Sequence, residues 1–308
     1  MRVAVVDIGT NTTRLLIADV DAASGSVHEL LRRSEVTRLG DGVDAGGALS
    51  EQASERVFRR LDEFAAAIAE HRCEANLAVL TSAVRDAANG REFASRVRAD
   101  YGLDARVLSG DEEAQLTFLG AMSSRPAPVE PTVVIDIGGG STEFVVGVGR
   151  SAGFHTSLPV GVVRMSERHI HSDPPAPAEL QELARDVRQT LLEGLPESER
   201  ARVRQGIAVA GTATSAASID QELDPYDPER VHGYRLLLGT VELLLARLAE
   251  MDEAQRRAVV GLNPDRAPTI VAGMIVLGEA MRVFGIEQVE VSEHDILYGG
   301  ALRLAGLG

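Results

Sequence analysis

Two stretches of the chain share one alternation of apolar and polar positions. Residues 4–20 and 133–149 align without a gap, and each has an apolar run, a polar turn containing Gly and a second apolar run. This pattern predicts a β-hairpin whose turn faces a ligand. Asp, Ile, Gly and Thr recur at the same offsets in both copies, so the repeat predicts two similar lobes facing each other across a cleft.

The rest of the chain alternates between helical and extended patterns. Apolar residues recur at helical spacing behind Ser50, which can cap the helix that they predict over residues 50–71. Short strands are predicted at residues 76–82, 101–109, 207–210 and 289–291. Helices are predicted at residues 111–121, 177–195 and 295–304, with mostly helical structure from residue 236 onward. This alternation predicts an α/β fold.

Length and proline content indicate two domains. A chain of 308 residues exceeds the size at which one hydrophobic core usually keeps growing. Three prolines within residues 123–131 exclude a regular helix and predict a linker. We therefore assign lobe I to residues 1–124 and lobe II to residues 125–308, with the option that the closing helix, residues 295–308, packs back on lobe I.

Composition excludes several classes of protein. The apolar fraction is 44%, yet no apolar run approaches the roughly 20 residues that cross a bilayer, so we expect no membrane association. The N-terminus enters a strand pattern without the zones of a secretory signal, which predicts a cytoplasmic location. Cys73 is the single cysteine, which excludes an intrachain disulfide and a thiolate zinc cluster.

The charge narrows the choice of ligand. A net charge of −15 argues against binding to nucleic acid. All 31 basic residues are Arg, and the lack of Lys excludes a P-loop. A polyanionic ligand would therefore be held in a local cleft by guanidinium groups, which suit bidentate phosphate contacts.

The two polar turns carry groups typical of a phosphate site. Glycines leave backbone N–H groups to converge on an anion, and neighbouring polar side chains add donors. The candidate phosphate-binding residues of the turns are Thr10, Asn11, Thr12, Gly138, Gly139, Ser141 and Thr142. An ordinary hairpin would explain one such turn, but two aligned copies favour phosphate binding.

Charged residues flank both turns. Asp7 and Asp136 end the first strand of each copy, and two carboxylates among phosphate oxygens need a cation. Mg²⁺ suits this role, because it takes one or two carboxylates and keeps several waters; alternatively, each Asp caps its own turn. Arg14 aligns with Glu143, so one copy would offer a cation to phosphate and the other a carboxylate to a metal-bound or attacking water. An exposed surface pair is the alternative.

Three further segments are weaker candidates. Arg85 follows a predicted strand and could bind a second phosphate oxygen. Glu112 and Glu113 begin a predicted helix, where compensation of the helix dipole is the better explanation from the residues alone. Gly211 and Thr212 open a helix after a buried strand, which predicts either an anion site or simple tight packing.

Seven segments, by their order and spacing, carry a family resemblance. They are DIGTNTTRLLIADV at 7–20, RLGDG at 38–42, TSAVRDAAN at 81–89, LSGDEEAQLTFLGA at 108–121, IDIGGGSTEFVVG at 135–147, LPVGVVRM at 158–165 and AGTATSAASI at 210–219. Together they resemble the exopolyphosphatase and guanosine pentaphosphate phosphohydrolase (Ppx/GppA) family. The resemblance implies two ribonuclease-H-like (actin-like ATPase) lobes, with mixed sheets flanked by helices and an interlobe cleft.

The resemblance also implies an activity. It is Mg²⁺-assisted, in-line attack of water that releases terminal orthophosphate from inorganic polyphosphate, with guanosine pentaphosphate as a further substrate. A cytoplasmic homodimer is implied as well. The alternatives are a kinase of the same superfold and a non-catalytic sensor of polyphosphate or guanosine alarmones. Phosphate release without ATP distinguishes the hydrolase from both.

Residue by residue, the resemblance assigns roles that the spacing alone does not. The general base is Glu113, with its neighbour Glu112 as the weaker candidate. The remaining roles are terminal-phosphate contacts at Arg14 and Arg85, Mg²⁺ ligands at Asp136 and Glu143 with Asp7 assisting, and backbone or hydroxyl phosphate contacts at Gly138 and Ser141.

The chain departs from the family pattern in two places and in length. Pro268 follows Arg266 and Ala267 where an acidic residue is expected, and the segment containing His294 and Asp295 differs from a Gly-containing pattern. The extra C-terminal helical domains of larger members are missing from the sequence. We therefore expect short polyphosphate or guanosine pentaphosphate to be preferred over long polyphosphate.

Overall fold

The computed structural model describes residues 1–123, 125, 129–149 and 151–307, apart from the side chains of residues 44, 45 and 151. The chain divides into two compact units: unit 1 comprises residues 1–126 and 294–308, and unit 2 comprises residues 127–293. The closing helix of the chain is thus grouped with the first hairpin. Part of the linker predicted at residues 123–131 lies outside the described residues.

Strands and helices alternate through both units. In the first part of the chain the elements are β1 (Arg2–Ile8), β2 (Thr12–Asp21), β3 (Ser26–Val36), α1 (Val43–Gly46), α2 (Glu51–Glu70), β4 (Ala75–Leu80), α3 (Ser82–Asp86), α4 (Gly90–Tyr101), β5 (Ala105–Val107) and α5 (Gly110–Ala121). The following elements are β6 (Thr132–Ile137), β7 (Thr142–Val148), β8 (Ser151–Leu158), α6 (Val162–His169), α7 (Pro177–Gly194), α8 (Glu197–Arg202), β9 (Gln205–Val209), α9 (Ala210–Asp220), α10 (Pro228–Val231), β10 (Arg235–Leu237), α11 (Leu238–Ala249), α12 (Glu253–Arg257), a 3₁₀ turn (Pro264–Arg266), α13 (Ile270–Phe284), β11 (Gln288–Ser292) and α14 (Ile296–Leu304).

The two sheets repeat one topology. In unit 1 the strand order is β3-β2-β1-β4-β5, and β1 pairs antiparallel with β2 and parallel with β4. In unit 2 the order is β10-β11-β9-β6-β7-β8, so β6, β7, β8, β9 and β11 occupy the positions of β1 to β5, and β10 is added at the edge. The predicted α/β class, with mixed sheets flanked by helices, is confirmed.

Both faces of the unit 1 sheet are buried. Ala4 and Val6 of β1 belong to a core shared with α2, whereas Val3 and Val5 pack in a second core with α14. Because both faces are covered, the central strand is apolar at nearly every position rather than alternating with polar residues. This explains the uninterrupted apolar runs that precede each polar turn.

Unit 2 has one large core. It joins the sheet to α7, α9, α11 and α13, and the rings of Phe144 on β7 and Phe284 on α13 lie 5.8 Å apart between centroids. None of the helices among the described residues combines the length and the apolar character that a bilayer crossing would need.

Candidate active site

The two repeated hairpins have the same strand register. Asp7 lies opposite Arg14 across β1 and β2, and Asp136 lies opposite Glu143 across β6 and β7. Each turn is closed by the same hydrogen bond, from the N–H of its first Gly to a carbonyl three residues later: Gly9 to Thr12 at 2.9 Å and Gly138 to Ser141 at 3.0 Å. The predicted equivalence of the Arg14 and Glu143 positions is therefore present in the structure.

The carbonyl groups of both turns are tied to the chain that follows. Thr10 and Asn11 accept hydrogen bonds from backbone N–H groups of residues 37–40, and Gly139 accepts two, from Val163 at 2.8 Å and Arg164 at 3.2 Å. In a trans peptide the C=O of one residue and the N–H of the next point in opposite directions, so the bonds to the carbonyls of Thr10 and Gly139 aim the N–H groups of Asn11 and Gly140 the other way. Within the described chain, the N–H groups of residues 10, 11, 139 and 140 meet no acceptor.

Some of the predicted phosphate donors are already used in hydrogen bonds within the protein. The N–H of Gly138 is used to close its own turn, so the backbone donors available in unit 2 are those of Gly139 and its successor. The hydroxyl of Thr142 donates to the Val160 carbonyl at 2.7 Å, and the Thr10 hydroxyl shares a 2.8 Å hydrogen bond with that of Ser82. The backbone, more than these hydroxyls, is arranged for an anion.

Arg14 lies between two buried carboxylates of unit 1. Its Nε donates to Asp7 Oδ2 at 2.8 Å, a second guanidinium nitrogen lies 2.7 Å from the same oxygen, and its Nη1 contacts Asp295. Asp295 stands directly before α14 and also accepts the N–H of Leu297 at 3.0 Å. The predicted phosphate contact is therefore also the centre of an ion-pair cluster.

The two carboxyl groups of this cluster are not equivalent. Burial raises the pKa of Asp7 above its usual value, and the adjacent guanidinium of Arg14 only partly offsets this effect. Burial also acts to raise the pKa of Asp295, but Arg14, Arg32 and the hydrogen bond from the Leu297 N–H together hold that pKa below its usual value. Asp295 is thus the more firmly ionised partner of Arg14.

The carboxyl ends of parallel strands β1, β4 and β5 meet at one edge of the unit 1 sheet. The first turn follows β1, Arg85 follows β4 on α3, and Glu113 follows β5 in the first turn of α5. This edge is where α/β sheets place ligands. Arg85 Nη1 donates to Glu113 Oε2 at 3.0 Å and to the Leu108 carbonyl at 3.1 Å, so the two predicted residues are brought into contact.

The adjacent acids of α5 differ in surroundings. Glu112 is exposed and its Oε2 accepts the N–H of Ser109 at 2.9 Å, while the Ser109 hydroxyl accepts the N–H of Glu112, which forms a capping box. Glu113 is 7% exposed and faces Arg85. The structure therefore gives Glu112 a capping role and leaves Glu113 as the candidate base.

The second hairpin places two buried carboxylates side by side in unit 2. Glu143 Oε1 accepts hydrogen bonds from the hydroxyls of Ser141 and Ser157, each at 2.7 Å, and Asp136 lies opposite it across the strand pair. These are hard oxygen donors of the kind that Mg²⁺ prefers, and Mg²⁺ needs only one or two carboxylates. Nowhere in the described chain do three or more His, Cys, Asp or Glu side chains come together as a metal site.

Close packing surrounds the two residues predicted as an anion site at the start of α9. A Cβ placed on Gly211 would stand 1.7 Å from the Nη1 of Arg266, so the guanidinium lies directly against this glycine. Thr212 is buried, and its hydroxyl would lie 2.8 Å from a Cβ on Gly273 of α13. Close packing explains Gly211 here, and it also brings Arg266 to the carboxyl end of β9.

Comparisons with known proteins identify the family. The model of the Ppx/GppA phosphatase family matches residues 16–303. The chain belongs to the Ppx/GppA phosphatase family. Exopolyphosphatase 2 of Mycobacterium tuberculosis is 39% identical, and the match covers 99% of both chains.

Solved structures of Ppx/GppA proteins have the same fold. The Ppx/GppA family member of Aquifex aeolicus is 30% identical and superposes with a TM-score of 0.83, covering 100% of this chain and 99% of that one. An exopolyphosphatase from Cytophaga hutchinsonii is 27% identical, with a TM-score of 0.90 over 100% of this chain and 99% of that one. The family resemblance that the sequence motifs carry is confirmed.

Two residues that contact predicted site residues were not themselves predicted to take part in the site. Asp295 contacts Arg14, and Arg266 covers Gly211. Both lie in segments where the sequence departs from the family pattern, and that departure is the signal that points to them. Neither motif spacing nor residue type reveals which distant residue each one contacts.

Proposed function

We propose that this chain is an exopolyphosphatase, which removes terminal orthophosphate from inorganic polyphosphate by attack of water. The observation that carries the proposal is in unit 1, where one sheet edge brings together a turn with N–H groups available to an anion, Arg85 and the buried Glu113. The curated relative from Mycobacterium tuberculosis is named for this activity, and the match covers both chains almost completely.

In the proposed reaction a water oxygen bonds to the terminal phosphorus while the bond from that phosphorus to the bridging oxygen breaks. Glu113 accepts the proton of the water, and the shortened polyphosphate leaves with the bridging oxygen. Each water consumed therefore yields one orthophosphate. Negative charge on the terminal phosphate oxygens is met by the turn N–H groups and by Arg85, with Arg14 as a further cation.

The donor set of the second hairpin fits a magnesium ion. Asp136 and Glu143 would hold it, directly or through water, with the Ser141 and Ser157 hydroxyls orienting the Glu143 carboxylate. When bound, Mg²⁺ neutralises charge on phosphate oxygens. Asp7, the predicted assisting ligand, is paired with Arg14 in the structure, so its support for a metal is weaker.

Other predictions need their own tests. Hydrolysis of guanosine pentaphosphate, preference for short chains, a homodimeric state and a cytoplasmic location stay predictions. A kinase of the same superfold would transfer phosphate from ATP to an acceptor, and a sensor would bind without turnover. Orthophosphate release from polyphosphate without ATP supports the proposal against both.

The central experiment measures orthophosphate release with Mg²⁺ from tripolyphosphate, long polyphosphate and guanosine pentaphosphate. Glu113→Gln removes the proposed proton acceptor while keeping side-chain size. We expect kcat to fall about 10²–10⁴-fold, with binding of tripolyphosphate nearly unchanged.

Two matched Glu→Gln variants serve as controls for Glu113→Gln. Glu55→Gln makes the same chemical change at an exposed position of α2 and should behave as the wild type. Glu112→Gln keeps an oxygen for the capping box and should retain most activity. Full activity in Glu113→Gln would overturn the assignment, and loss only in Glu112→Gln would move it to that neighbour.

A further inference from the structure

The Arg14 cluster combines one cation with two carboxylates. Asp7 and Asp295 are 5% and 1% exposed, and both contact the guanidinium of Arg14, whose own side chain is only 13% exposed. All three residues belong to unit 1. Asp7 is held by β1 opposite Arg14, and Asp295 by the start of α14, so the backbone fixes the cluster on both sides.

This arrangement opposes the binding of an anion. Asp295 places a negative charge directly against the guanidinium of Arg14, with Arg32 as a second cation acting on Asp295, and charges in a buried setting are poorly screened by water and salt. A phosphate that contacts Arg14 must therefore bind against the charge of the carboxylates. Asp7 has a counterpart in the second hairpin, Asp136, whereas Asp295 belongs to neither repeat.

We propose that Asp295 competes with phosphate for Arg14 and thereby lowers the affinity of the unit 1 site for phosphate groups. The inference rests on the proposed role of Arg14 as a phosphate contact. Asp295 is on this view an affinity-determining residue rather than a catalytic one, because it acts through Arg14. Its consequence for turnover is weak retention of the product orthophosphate.

Asp295→Asn removes the negative charge and keeps an oxygen for the helix N-cap. Asp295 Oδ1 accepts the N–H of Leu297 at 3.0 Å, and Asn is as favourable as Asp at a helix N-cap. The single amide oxygen can replace Oδ1 as the acceptor for Leu297, whereas the contact of Oδ2 with Arg14 is lost. Asp295→Ser is a second neutral variant with a capping hydroxyl, in case the amide is poorly tolerated in the buried site.

The measurement is direct binding of orthophosphate and of tripolyphosphate by calorimetry, on the full chain with Mg²⁺, using Glu113→Gln as background so that turnover is slow during the titration. We expect Asp295→Asn to lower Kd about tenfold for both ligands. In the active background, KM for tripolyphosphate should fall as well, and inhibition by orthophosphate should strengthen. A gain in affinity is a result that a purely structural role of Asp295 would not produce.

Two control variants test whether the gain in affinity is specific to Asp295 and depends on Arg14. Asp252→Asn makes the same substitution at the N-cap of α12 in unit 2 and should leave the affinity unchanged. Combining Arg14→Gln with Asp295→Asn should abolish the gain, because the two residues are coupled.

The outcomes separate this inference from the proposed function. Unchanged or weaker phosphate binding in both folded neutral variants overturns the inference, whether or not the wild type hydrolyses polyphosphate. Tighter binding in a chain that releases no orthophosphate supports the inference and overturns the proposed function. Hydrolysis of polyphosphate by the wild type, with no gain in phosphate affinity in the variants, supports the proposed function and overturns the inference.

Discussion

At the scale of single residues, Glu112 and Glu113 show how one position along a helix separates a capping carboxylate from a candidate catalytic one. Both are acids in the first turn of α5, and the helix dipole favours both. Only the contacts distinguish them: Glu112 returns to Ser109, and Glu113 is buried against Arg85. Sequence spacing could not supply this difference, because Arg85 is 28 positions away in the chain.

Because Glu112 caps α5, replacing it should lower the stability of the protein and should not remove a catalytic group. Glu112→Ala removes the acceptor for the Ser109 N–H, and we expect the free energy of unfolding to fall by about 0.5–1 kcal/mol. Chemical denaturation of the variant and the wild type checks this value. An unchanged midpoint would show that the capping box contributes nothing measurable.

The same contact predicts a pH dependence. Hydrogen bonds from the backbone and side chain of Ser109 hold the pKa of Glu112 below its usual range. The stabilisation is therefore fully present above the ordinary Glu pKa of about 4.3 and is lost as pH falls through the lowered pKa of the folded state. The stability difference between wild type and Glu112→Ala should be largest near neutral pH and should shrink in acid. A difference that grows in acid would contradict the assignment.

At the scale of elements, the sequence predicts best those segments in which the apolar spacing and the capping residues indicate the same helix or strand. Helix α2 begins directly after Ser50, whose hydroxyl accepts the N–H of Ala53 at 3.2 Å, as predicted. Strands β3 and β8 have no counterpart among the predicted elements. Both are edge strands. β3 carries several charged residues on a half-exposed surface and polar residues interrupt the sequence of β8, SAGFHTSL, so neither has a continuous apolar run.

Close packing of α5 on α14 gives an element-scale prediction. A Cβ on Gly299 would lie 1.9 Å from the Leu116 carbonyl oxygen, and one on Gly120 would lie 1.9 Å from the Asp295 carbonyl oxygen. Because both obstacles are backbone atoms, Gly299→Ala forces the helices apart, and we expect a loss of about 1–3 kcal/mol in unfolding free energy. Thermal melting measures the effect.

Gly239→Ala is the matched control for that substitution. Gly239 lies in α11, and a Cβ there would meet nothing within 4 Å. Ala is the better helix former, so this variant should be as stable as the wild type or slightly more stable. Equal melting temperatures for the two Ala variants would contradict the packing argument.

At the scale of the whole molecule, the repeat visible in the sequence corresponds to two sheets with one strand order. The hairpin register, the turn hydrogen bonds and the paired positions of Arg14 and Glu143 follow from that repeat. The contacts of Asp295 and Arg266 do not, because they depend on segments that fold back from far along the chain. The local sequence pattern predicts the hairpin and polar turn of each unit, and tertiary packing decides which additional charged residues contact them.

Unit 1 is formed by two separate segments of the chain, so its stability should depend on α14. Leu297 and Leu302 of α14 cover Val3, Val5 and Leu16 on one face of the first sheet, although residues 127–293 intervene in the chain. Burial of each large apolar side chain contributes about 1.5–3 kcal/mol, so a fragment of residues 1–126 alone should lose most of its stability. Joining residues 294–308 to that fragment by a flexible Gly/Ser linker should restore a cooperative thermal transition. Residues 127–293 keep their own core and should melt cooperatively alone. Equal melting of the 1–126 fragment with and without the added helix would show that α14 is dispensable for unit 1.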